Sequence, residues 1–137
     1  MILDPAELSA REKYSWMTRL IVPRPIAWVS TISIEGTLNL APFSYFNGVG
    51  TTPLTLMFCP ANNVDGSPKD TLKNVRDTGE FVVNVVTESF AQTMNQSSAA
   101  GTPDVDEFDL AGLEHVPSDW VKPPRVAAIA AAFECRL

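Results

Sequence analysis

A chain of 137 residues, 45% of them hydrophobic and with a formal net charge of −6, has the size of one domain and enough apolar surface to bury a core. The acidic balance argues against nucleic acid or an anionic membrane as partner, since both are bound by clustered Lys and Arg. No apolar run approaches a membrane span, and "MILDPAELSA" carries acids where a secretory signal carries bases, so the expected location is the cytoplasm.

In "SAREKYSWMTRL", Ser9 and Glu12 stand at capping-box spacing and predict a helix over 10–20. Pro23 and Pro25 end it, because neither donates a backbone hydrogen bond. "IAWVSTIS" is rich in β-branched and aromatic residues, and "IEGT" supplies a turn. Together they predict a hairpin of 26–32 with 38–46. "LTLMFCP" reads as a third strand that runs into the turn-rich "ANNVDGSP". Next, Ser67 suits a helix cap, Pro68 the first helical position and Gly79 the C-terminal stop. That helix leads into a strand over 80–86. Thr87 then caps a helix in "ESFAQTMNQ", "DVDEFDLAGL" forms a short helix, and a final strand starts near Arg125. Strands arranged as hairpins rather than βαβ units predict a single domain over 1–137: mainly β, an antiparallel barrel with peripheral helices.

The chemistry-bearing residues are few. His115 is the single histidine, so a Ser-His-acid or Cys-His mechanism has little to draw on, and a histidine-held catalytic metal is excluded for a monomer. Cys59 and Cys135 read as buried thiols. An enzyme built from this chain would leave the hard chemistry to an organic cofactor. Two segments could hold one. In "DGSPKDT" a helix start carries Ser67, Lys69 and Thr71, which fits either a phosphate site or an ordinary capped helix. Across the hairpin, "WVST" faces "NLAPFS", whose small polar groups fit either a flat heterocycle or simple turn satisfaction. Trp28, Phe43, Tyr45 and Phe46 fit either cofactor neighbours or core.

Four ordered stretches carry a resemblance: "PRPIAWVSTISIEGTLNLAPFSYFNGVGTTP", "DGSPKDTLKNVRDTGEFVVNVV", "MNQSSAAGTPDVDEFDLAGL" and "PPRVAAIAAAFECRL". They resemble the successive motifs of the flavin reductase-like, FMN-binding split-barrel family. The resemblance implies an antiparallel split β-barrel that forms a homodimer, binds FMN non-covalently at the subunit interface and takes hydride from NADH or NADPH. By similarity, Ser30 and Thr31 lie along the isoalloxazine, with Thr31 the catalytic candidate nearest its reactive edge. Asn39, Leu40, Ala41, Pro42, Phe43 and Ser44 line the ring and ribityl chain. Lys69, Asp70 and Thr71 sit near the phosphate, and Asn95 and Ser98 lie close to the cofactor. Members of the family run on beyond "FECRL", so the expected barrel lacks its last strands here. A flavin-binding remnant without turnover, or an electron-transfer flavoprotein reduced by a protein partner, are the alternative expectations.

Overall fold

In the computed structural model, which describes residues 2–63, 65–99 and 105–137, the run after Pro25 forms a central strand β1 (Ala27–Ile32). Strand β1 pairs antiparallel with β2 (Leu38–Phe43), from Ala27 opposite Phe43 to Ile32 opposite Leu38. Its other edge pairs with a later strand over Glu80–Val85, so five of its six residues are buried. A strand covered on both faces reads as a nearly continuous apolar run, which is what "AWV" begins.

Beyond Phe43 the chain departs from the expected hairpin. It bends, then forms β3 (Phe46–Thr51), paired antiparallel with β4 (Leu54–Phe58). Gly48 and Gly50 disguise β3, since glycine weakens strand propensity. They sit at an irregularity in the register, and a Cβ on Gly50 would lie 3.3 Å from the Pro53 carbonyl oxygen and 3.4 Å from the Thr55 side chain. Gly50 accommodates a close approach that the sequence pattern does not reveal.

The first helix, α1 (Ala10–Leu20), forms as predicted, with Ser9 and Glu12 completing the capping box. The second, α2 (Asp70–Thr78), stops at Gly79, which adopts φ 72° as a left-handed C-terminal residue. Its start differs from expectation. Ser67 is not the cap; its backbone N–H and hydroxyl donate to Asp65 Oδ1 at 2.9 and 2.6 Å. Lys69 takes the cap position without a side-chain bond. A local Asx-type turn has captured the serine ahead of the helix.

Strand β5 (Glu80–Val85) follows α2 directly. Thr87 takes the N-cap position of a short 3-10 helix (Glu88–Phe90) that runs into the next α-helix, without a side-chain cap bond, and its hydroxyl lies 2.9 Å from that of Ser89. Helix α3 (Ala91–Gln96) follows, then α4 (Glu107–Leu110), capped by the Asp106 carboxylate. The expected final strand is split. A short β6 (His115–Val116) pairs with β7 (Arg125–Val126), and after a break containing Ala128 at φ 60° the chain resumes as β8 (Ala132–Arg136).

The architecture is mostly antiparallel sheet with a few helices. Among the described residues the strands form a four-stranded sheet in the order β2-β1-β5-β8 and two separate hairpins, rather than a closed barrel. Alternation along β1 divides the core. Ala27 and Val29 pack with Phe43, Val75, Phe81 and Val83 on the α2 face. Trp28 packs with Leu40, Phe108 and Val126 on the other. Each face is closed by residues remote in sequence, which pins the register of both sheet edges.

Candidate cofactor site

Where β2 passes the N-terminus of α2, a cleft of about 340 Å³ opens, within the lower part of the range of small-molecule sites. Asn39, Ala41 and Pro42 of β2 line it, with Lys69, Asp70 and Thr71 at the helix start and Ser97, Ser98 and Glu107 from the α3–α4 region. The leading turn of α2 has no side-chain cap, so its first amides remain available to a ligand. Lys69, exposed at this edge, holds its Nζ 5.9 Å from the centroid of the Phe43 ring, within cation–π reach.

A buried polar network forms the floor. Asn39 Oδ1 accepts from Thr71 Oγ1 at 2.6 Å and from Thr31 Oγ1 at 3.2 Å. The Asn74 amide donates to Thr31 Oγ1 at 3.1 Å. On its other side, Asn39 Nδ2 donates to Glu107 Oε2 at 2.9 Å, and the Leu40 backbone N–H donates to the same oxygen at 2.9 Å. Glu107 is 8% exposed. Burial pushes its carboxyl above the ordinary carboxylate range, Asp106 pushes the same way more weakly, and hydrogen bonds from the Leu40 N–H, its own backbone N–H and the Asn39 amide partly offset them.

Glu107 was not legible as a cleft residue in "DVDEFDL". It resembles an ordinary acid in the first turn of a helix, and only the contact with a strand 67 or 68 positions away separates it from one. Ser97 is equally inconspicuous in "MNQSS". Fully buried Trp28 donates its indole N–H to Ser97 Oγ at 2.9 Å, which ties β1 to the end of α3 beside the cleft.

Ser30 and Thr31 are both fully buried and project to opposite faces of the sheet, as strand alternation requires. Thr31 lies beneath Asn39, whereas Ser30 meets the Pro124 carbonyl and the Asn84 amide. Leu40 packs in the second core cluster. Phe43 is core, with its ring centroid 5.4 Å from that of Phe58. Ser44 is half-buried in the bend after β2, and Asn95 is exposed on α3 with its carbonyl accepting from Ser98 Oγ at 2.6 Å. The cleft thus gathers Asn39, Ala41, Pro42, Lys69, Asp70, Thr71 and Ser98, while Ser30, Thr31, Leu40, Phe43, Ser44 and Asn95 lie outside its lining. A larger groove of about 600 Å³, between β3–β4 and β8 beside Trp120, contains none of the expected residues. Among the described residues no group of three or more metal-ligating side chains assembles, and no helix is long and apolar enough to cross a membrane.

An antiparallel sheet with an uncapped helix start beside a polar cleft is a frame suited to an anionic small molecule, and comparison with known proteins places it in a family. The chain belongs to the flavin reductase like domain family, whose model matches residues 17–137. An uncharacterized protein of Aquifex aeolicus is 48% identical over 124 residues, covering 90% of this chain and 63% of its own length. The structure of nitrilotriacetate monooxygenase component B from Bacillus cereus superposes with a TM-score of 0.94 at 34% identity, covering 100% of this chain and 67% of that one. The 2-nitrobenzoate 2-nitroreductase NbaA of Pseudomonas fluorescens gives 0.85 at 32% identity, over 99% of this chain and 64% of that one. The chain therefore spans about two thirds or slightly less of the length of these relatives.

Proposed function

We propose that this chain is an FMN-binding oxidoreductase of the flavin reductase type that takes hydride from NADH or NADPH and works as a homodimer. The observation that carries the reading is the cleft itself, which draws expected cofactor residues from β2, the start of α2 and the end of α3 into one lining. The chemistry of this lining suits FMN. An uncapped helix start and an ammonium suit a phosphate, and the neighbouring amide, hydroxyl and carboxylate groups suit a polyol and a heterocycle edge.

Bound there, FMN would supply a ring that accepts hydride. The chain's own task is placement. Lys69 and the first-turn amides of α2 would hold the phosphate, and Asn39, Ala41 and Pro42 would hold the ring and ribityl chain. In this reading Thr31 acts from below, keeping Asn39 oriented, since its hydroxyl is engaged with Asn39 and Asn74. Hydride transfer between stacked rings depends on position more than on a side-chain acid or base, which is consistent with a cleft that has no histidine in its lining.

Titration of the purified protein with FMN, followed by anaerobic addition of NADH or NADPH, tests the reading. Saturable uptake and bleaching of the bound flavin's visible band are expected. Failure to take up FMN refutes it, and uptake without bleaching by either nicotinamide restricts the function to flavin binding or electron transfer.

A further inference from the structure

The hydroxyl groups around the cleft have their hydrogens committed within the protein. Thr71 donates to Asn39 Oδ1 at 2.6 Å, Ser67 to Asp65 Oδ1 at 2.6 Å, Ser97 to the Met94 carbonyl at 2.8 Å and Ser98 to the Asn95 carbonyl at 2.6 Å. Exposed Ser67 and Ser98 can rotate toward a ligand at little cost. Thr71 cannot, because it is 1% exposed and Asn39 Oδ1 would lose its shorter donor. The orientation of Asn39 is itself determined by Glu107. An ionised carboxylate only accepts, so the Asn39 amide must turn its NH₂ toward Glu107 and its oxygen toward the two threonines. Both hydrogen bonds that Glu107 accepts from other residues fall on Oε2. Among the described residues no donor from another residue meets Oε1, and the side chain lines the cleft.

We infer that Glu107 is a specificity-determining residue of the cleft: Oε2 holds Asn39 and Leu40 in place, while Oε1 accepts a hydrogen bond from a hydroxyl of the ligand's polyol chain. The inference rests on the FMN reading and deepens it. A carboxylate repels a phosphate and accepts from an alcohol, so the ribityl hydroxyls belong at Glu107 and the phosphate belongs with Lys69 and the α2 amides. Thr71, despite its place at the helix start, then supplies the phosphate with its backbone and not its hydroxyl.

Glu107→Gln separates the structural role from the recognition role. The glutamine oxygen can take the place of Oε2 and keep both protein bonds, whereas its NH₂ replaces Oε1 and removes the charged acceptor. Dissociation constants of wild type and variant are measured by flavin fluorescence for lumiflavin, which has the ring alone, riboflavin, which adds the ribityl chain, and FMN, which adds the phosphate. Riboflavin and FMN should weaken together by about tenfold, the scale of one charge-assisted hydrogen bond, with lumiflavin unchanged. Thr71→Val should leave the ratio of FMN to riboflavin affinity as in wild type. Equal weakening of all three flavins by Glu107→Gln, no weakening, or tighter FMN binding would each overturn the inference and leave the FMN reading standing. A selective loss of FMN in Thr71→Val would do the same. A wild-type chain that binds none of the three flavins removes the FMN reading and this assignment with it.

Discussion

Asn84 offers the sharpest test of how the two faces of the sheet are joined. It lies on β5, is fully buried, and binds in three directions. Its Nδ2 donates to the Trp28 carbonyl at 3.0 Å and to Ser30 Oγ at 3.3 Å, and its Oδ1 accepts from the Val126 N–H at 2.9 Å. Asn84→Ala deprives the buried Val126 N–H of its partner, at a cost of about 1–3 kcal/mol, and removes a donor from Trp28 and Ser30. Adding the small void left by the amide, we expect a loss of about 3 kcal/mol, a large share of the roughly 5–15 kcal/mol typical of a domain. That corresponds to a fall in Tm of about 10 °C for a chain of this size. Urea unfolding followed by circular dichroism measures it, with the m-value unchanged. Exposed Asn95→Ala is the control, expected to stay within about 0.5 kcal/mol. A loss below about 1 kcal/mol in Asn84→Ala would show that the β1–β5–β7 junction does not depend on this amide.

Other consequences are equally open to measurement. The Glu107 carboxyl is held above its ordinary value in the fold, so between the unfolded and folded pKa values the folded state binds more protons than the unfolded one. Relative to Glu107→Gln, wild-type stability should therefore be greatest below the ordinary carboxylate pKa, fall as pH rises through the folded value, and level off above it. Thermal unfolding of both proteins over about pH 3 to 8 tests this, and a wild-type advantage that grows with pH would contradict it. Burial raises the Cys135 thiol from 9.0 to about 11, which leaves it about a hundredfold less thiolate than an ordinary thiol. Iodoacetamide at mildly alkaline pH should accordingly label exposed Cys59 well before Cys135, as read by peptide mass mapping; equal rates would refute it. Lys69→Met should weaken FMN about tenfold and spare riboflavin, and an equal loss of both would move the phosphate away from Lys69.

Local signals in the chain specified much of the architecture. The Ser9–Glu12 capping box, Gly79 at the end of α2 and the turn between β1 and β2 act between residues close in sequence, so composition and spacing suffice to read them. The segment "NLAPFS" stood out as a candidate because its small polar residues interrupt an apolar strand, and of it Asn39, Ala41 and Pro42 line the cleft. Strand β3 was not legible, since Gly48 and Gly50 suppress the alternating pattern, while at Gly50 a side chain would crowd the Pro53–Thr55 turn. Nor was the start of α2, where Ser67 had two available partners and took Asp65. What only the tertiary structure decided is which polar residues share one surface. Adjacent Ser30 and Thr31 part to opposite faces, while Asn39, Thr71 and Glu107 meet from three distant elements. Burial drives that meeting: a polar group withdrawn from water must find a partner, and the partner is whatever the packed fold brings within reach, however far away it lies in the chain.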